Sequence, residues 1–158
     1  MPPLSPRATQ SRARSSPART ALCLAGLIGA TAAGAQDAAP TLECSRGFDA
    51  IKTDAQALAG AQVNEHESFE IFTQAAPGAW RAEFFFTTGW HPAYPAVALR
   101  TQRKQVTGVW TADSKVCGYG SSAQTSALAD EMKTGDKALT DASRAEVERK
   151  KSSRSPLS

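Results

Sequence analysis

Apolar residues at Phe48, Ile51, Ala55 and Leu58 recur at three- and four-residue steps, with Asp49, Lys52, Asp54 and Gln56 between them. That spacing lays one apolar stripe along a helix. It predicts a helix over about 46–59, stopped at Gly60. The period then changes to two. Phe69 and Ile71 alternate with Ser68, Glu70 and Phe72, and Trp80–Thr88 is rich in aromatic residues and threonine, as strands are. Between these runs stands Ala76-Pro77-Gly78-Ala79. Proline presets the second position of a turn and glycine suits the third, so the two runs predict a hairpin. In the second run Ala82, Phe84, Phe86 and Thr88 share one side, and Arg81, Glu83, Phe85 and Thr87 the other. Phe84-Phe85-Phe86 therefore puts aromatic rings on both faces: either both faces are covered, by the helix and by a partner or loop, which is the favoured reading, or one exposes an apolar patch that meets a partner.

Residues 89–95, Gly-Trp-His-Pro-Ala-Tyr-Pro, form a loop, because two prolines three apart suit neither a helix interior nor a central strand. Strands are expected at 96–102 and 106–112. A turn is expected at Asp113-Ser114, and a short fifth strand at 115–119. Beyond Gly120 the character changes. Residues 121–151 hold no aromatic residue, and their only large apolar side chains are Leu128, Met132, Leu139 and Val147. Helix formers are plentiful there, so a polar helix over about 125–149 is expected, interrupted near Gly135, with only its first turns docked. The chain is thus read as a flexible leader (36–43), a compact α+β domain (44–132) and a polar helical or disordered tail (133–158). The domain has an N-terminal helix packed on a four- to five-stranded antiparallel sheet. No internal repeat is visible.

The start of the chain changes how its charge is read. Residues 1–19 carry Arg7, Arg12, Arg14 and Arg19 and no acid; the uncharged run Leu22–Ala30 follows, then small residues ending at Ala33-Gly34-Ala35. A basic region, a short apolar run and an A-x-A-type site are the marks of a secretory signal peptide. The expectation is cleavage after Ala35 and a periplasmic or secreted location. The run is shorter than the roughly 20 residues of a membrane span, so no stable membrane anchor is expected. The whole chain has a net charge of +3, but four of its 18 basic residues and none of its 15 acids lie in that segment. The remainder is near neutral, which gives no electrostatic reason to expect a nucleic-acid partner. Cys23 leaves with the signal. Cys44 and Cys117 remain, one possible pair in an oxidising compartment, and the expectation is a structural disulfide.

Candidate chemistry is sparse. There is no nucleophile elbow, phosphate-binding loop or dinucleotide fingerprint. The histidines are His66, within Glu65-His66-Glu67, and His91, and no metal-ligand spacing surrounds either. No cofactor, metal or catalytic residue is assigned. The distinctive segment is 89–95, where Trp90, His91 and Tyr94 stand on a chain stiffened by two prolines. Restricted φ lowers the entropy lost on binding, so Trp90, His91 and Tyr94, with Arg100 on the next strand, are the candidate binding residues. The expected partner is another exported or envelope protein. The competing reading is a small hydrolase or metal-dependent enzyme using His91 with His66, Glu83 or Glu70, the two carboxylates sharing a sheet face. Arg100, Arg103 and Lys104 otherwise read as charged gatekeepers on an exposed strand end.

The stretch Phe86-Thr-Thr-Gly-Trp-His-Pro-Ala-Tyr-Pro-Ala-Val-Ala-Leu-Arg100 resembles a segment of small secreted or periplasmic proteobacterial proteins in which an H-P-x-x-P loop joins two strands. The resemblance implies export and an α+β architecture. It carries no activity and no functional residue to this chain.

Overall fold

The computed structural model describes residues 38–58 and 60–154. The expected signal peptide, residues 1–35, and the chain end, 155–158, lie outside them. A 3-10 turn at Cys44–Arg46 leads into α1, Phe48–Ala57. Five strands follow: β1 (Gln62–Glu65), β2 (Phe69–Ala76), β3 (Trp80–Thr87), β4 (Ala96–Lys104) and β5 (Trp110–Gly118). They form one antiparallel sheet in the order β1-β2-β3-β4-β5. The chain ends in α2, Ser122–Arg154. The protein is α+β.

Two strand boundaries differ from the sequence reading. β1 contains little to announce it, since all four residues are exposed. The expected turn at Asp113-Ser114 lies inside β5, where Asp113 pairs with Thr101 and Ser114 with Arg100. The reversal falls earlier, at Gln105–Val109. There Gly108 takes φ +85°, a conformation open to glycine, and its N–H bonds to the Gln105 carbonyl at 2.8 Å. Val106, expected in a strand, stands fully exposed at the tip.

One face of the sheet is closed by α1 and by the chain before it. Phe72, Trp80, Phe84, Phe86, Val97 and Leu99 form its floor, and Ile51 and Ala55 of α1 pack down onto them. Edge-to-face rings tie the layer together: Phe48 to Phe86 and Phe72 to Phe86, each with centroids 5.6 Å apart. Such pairs contribute about 0.5–1.5 kcal/mol beyond their burial. Ala39 and Leu42 are also buried in this core. The described part of the expected flexible leader is therefore packed, because Ala39 and Leu42 join this core.

The disulfide joins Cys44 to Cys117 with Cα atoms 5.3 Å apart, closing 73 residues of sequence. A loop of that length corresponds to about 4 kcal/mol in the chain-entropy model. It ties the turn before α1 to the last strand. Tyr119 reinforces the junction, its hydroxyl donating to the Cys44 carbonyl at 3.0 Å. Burial raises that phenol above its ordinary value near 10. The bridge is consistent with an oxidising, exported location. Among the described residues no helix is long and apolar enough to cross a membrane.

The opposite face is covered in part by α2, which lies over β5 and the adjoining part of β4. Leu128 and Met132 are buried against Ala93, Ala96 and Ala98. The helix is not interrupted at Gly135, and docking does not stop at 132. Arg100 of β4 reaches under the helix, where its Nε donates to Asp136 Oδ1 at 2.7 Å and its guanidinium lies 5.2 Å from the Phe85 ring centroid. A Cβ on residue 135 would stand 2.7 Å from Arg100 Nη2. Glycine is there to admit the guanidinium, not to end the helix. Farther along, Thr140 Oγ1 accepts the N–H of Ala112 at 3.0 Å and Ser143 Oγ that of Trp110 at 2.8 Å. The helix hydroxyls thus bond backbone donors of the outermost strand, an edge that would otherwise invite pairing with another chain. The domain extends through the seam to residue 143, and the polar tail foreseen from 133 is part of it.

Candidate functional site

The loop after β3 is built from hydrogen bonds at both ends. Thr87 is buried, and its hydroxyl donates to the Ala96 carbonyl at 2.9 Å and accepts the Ala96 N–H at 2.8 Å. One side chain thereby closes the β3–β4 ladder where the loop departs. Thr88 fastens the loop to the neighbouring turn: its N–H bonds to the Ser68 carbonyl at 3.0 Å and its hydroxyl donates to the Glu67 carbonyl at 2.5 Å. Within the loop the N–H of His91 bonds to the Thr88 carbonyl at 3.0 Å, and that of Tyr94 to the His91 carbonyl at 2.9 Å. The Tyr94–Pro95 peptide is cis, and the Pro95 carbonyl accepts the N–H of Tyr119 at 2.9 Å.

This frame displays Trp90. The residue is 79 % exposed at the head of a fixed turn, and Tyr94, four positions on, is 49 % exposed. Tyr94 rests one edge on Phe48, with ring centroids 5.8 Å apart. Ala93 between them is fully buried under α2, so the loop is pinned at its centre as well as its ends. The adjoining β1–β2 turn places Glu65, His66 and Glu67, all exposed, at the same end of the sheet.

His91 is turned the other way. Its Nδ1 accepts the N–H of Ala93 at 3.0 Å, and its ring lies 4.7 Å from that of Phe69. An accepting Nδ1 puts the proton of the neutral ring on Nε2. The residue holds the loop's shape while remaining half-exposed. The carboxylates named with it are not assembled around it as a pair. Glu70 stands opposite Phe86 on the α1 face, while Glu83 stands opposite Arg100 on the α2 face, so the two do not share a face. Each has its own cation: Lys52 pairs with Glu70, and Arg81 bonds Glu83 at 2.7 Å. Among the described residues no group of three or more His, Cys, Asp or Glu is arranged to hold a metal ion.

Comparison with protein-family models, with curated proteins and with solved structures finds no match.

The sequence-derived candidates therefore separate. Trp90 and Tyr94 are each exposed on the loop, and His91 holds the loop's shape through the Ala93 N–H. Arg100 is half-buried and bound to Asp136, which corrects its reading both as a displayed binding residue and as a gatekeeper at a strand end. Lys104 is exposed at that end, and so is Arg103. What sequence reasoning missed is the row Asp136, Thr140, Ser143. Its signal was the helical spacing of four and three, passed over because the residues are polar.

Proposed function

We propose that this is an exported, non-enzymatic binding protein that recognises another exported or envelope protein through the 88–95 loop. Trp90 is the anchor and Tyr94 its neighbour. The observation carrying this reading is the 79 % exposure of Trp90 on a loop already held by backbone and side-chain hydrogen bonds. A large exposed aromatic costs solvation, and a monomer gains nothing by fixing it in one position. A partner with a receiving pocket gains most of its area, and little entropy remains to be lost on binding. Export to the periplasm or the cell exterior is supported by the arginine-led apolar leader and by the Cys44–Cys117 bridge.

The test is a photo-reactive residue introduced at Tyr94 in producing cells, with cross-linked products compared between otherwise native protein and Trp90→Ala. Loss of an anchor of this kind costs about 2 kcal/mol or more, roughly thirty-fold in affinity. The expected result is a discrete product that disappears in the Trp90→Ala protein and persists in Gln56→Ala, with urea midpoints unchanged. A product of equal yield from Trp90→Ala would overturn the assignment of this loop.

A further inference from the structure

At the end of the molecule where β5 begins, α2 sits over the sheet edge rather than its middle, because Thr140 and Ser143 seat it on the β5 backbone. A helix is about 10 Å wide and strands are about 4.8 Å apart, so one helix covers only about two strands. The strip of sheet beside it stays open and forms a groove of about 550 Å³. That lies within the roughly 300–1,000 Å³ of small-molecule sites. Trp110 and Leu139 supply its apolar surface, Arg81 and Gln102 line it from the sheet, and Glu146 and Arg149 line it from the helix.

The charges around the groove do not cancel. Arg81 is bonded to Glu83 at 2.7 Å, and Glu146 to Lys150 at 2.5 Å. Arg149 forms no hydrogen bond or ion pair among the described residues. Its charge acts on Glu146, so Arg149 and Lys150 share that one carboxylate and one positive charge is in excess beside an apolar surface that includes Leu139, 40 % exposed although it is among the few large apolar side chains of α2. A planar guanidinium fits a carboxylate through two parallel hydrogen bonds. We propose that this groove is a binding site for a small amphipathic carboxylate of the medium-chain fatty-acid class. Its chain lies on Trp110 and Leu139 and its carboxylate meets Arg149, with the Gln102 amide in reach as a second donor. This site is separate from the Trp90 loop and does not depend on it.

The probe is dodecanoate below its micelle concentration, with dodecanol as the uncharged control. Both are titrated into the isotope-labelled protein and followed by amide and indole NMR shifts. The expected result is saturable binding of dodecanoate, with shifts concentrated at the Trp110 indole, Gln102 and residues 139–149. Binding should weaken at least tenfold in Arg149→Gln and in Leu139→Asp, and be unchanged in Trp90→Ala. Both altered side chains are exposed, and retained helicity checks the fold. Equal binding of dodecanol, shifts without saturation, shifts centred elsewhere, or an unaltered Arg149→Gln protein would each overturn the proposal.

Discussion

On one face of the sheet α1, only ten residues long, buries Ile51 and Ala55 and inserts Phe48 among the rings of Phe86, Tyr94 and Tyr119. On the other, α2 runs for 33 residues and buries only Leu128, Met132 and Asp136. The short helix is held by apolar area, which needs no particular orientation. The long helix begins the same way and then changes means. From residue 136 onward an ion pair and hydroxyl groups hold it, and each of these acts only at one distance and angle. The first kind of contact tolerates change in shape and resists loss of volume. The second contributes less per residue but fixes where the helix lies, and so which strip of the sheet is left open.

The sharpest way to break the first face is Phe86→Ala. The side chain is almost wholly buried and touches rings on both sides, so a loss of about 3–5 kcal/mol is expected, read as a lower urea midpoint. A loss under about 1 kcal/mol would mean that α1 and its rings do not carry this face. The second face breaks more gently. Asp136→Ala leaves Arg100 half-buried without its carboxylate, and a loss of about 3 kcal/mol is expected, near the lower end for a broken buried pair. Replacing both partners, Arg100→Met with Asp136→Leu, should recover most of that, since the attraction of a buried pair barely exceeds its desolvation. If the double variant is no better than Asp136→Ala, the pair itself is the stabilising element. Thr140→Val keeps the shape and removes the acceptor for the Ala112 N–H; about 1 kcal/mol is expected, with faster hydrogen exchange at Ala112 as the local readout.

The smallest effect is one of acidity, confined to the solvent side of the second half of α2. The side-chain hydrogen bond from Lys137, then its charge, hold Asp141 below its ordinary value of 3.8. The hydrogen bond from Lys150 does the same for Glu146. A carboxylate with a depressed folded value stabilises the helix above its unfolded value, and that contribution is lost as pH falls through the folded one. Both carboxylates are in contact with solvent, so the effect is local. Helicity measured by circular dichroism should therefore fall slightly as pH is taken from about 5 to below 3, while the near-ultraviolet signal of the aromatic core is kept. Loss of both together would show that the seam, and not the helix end, responds to acid.

How far the chain could be read in advance follows the same division. The stripe of α1, the β2–β3 hairpin across Pro77-Gly78, the alternating faces of β3 and the Cys44–Cys117 pairing were all visible in the residues, because burial of apolar area imposes a period and two cysteines leave one choice. The loop at 89–95 was visible because proline forbids the alternatives, and its aromatic residues were nameable for the same reason. Three of the readings that differ from the structure each involve a polar residue whose partner is distant in sequence. Asp113-Ser114 resembled a turn until Ser114 could bond Asp136 at 2.8 Å. Gly135 resembled a helix break until Arg100 came under it. Arg100 resembled a surface cation until Asp136 was brought over it.

Hydrophobic periodicity is local, so the residues along this chain were enough to specify α1, the β2–β3 hairpin, the two faces of β3 and the disulfide that closes the domain. A hydrogen bond between residues 28 or 36 positions apart leaves no periodic trace. Only the folded chain, by bringing α2 against the outer strand, could decide that a polar helix belongs to the domain, that Trp90 stands clear of it, and where a groove with one positive charge in excess remains.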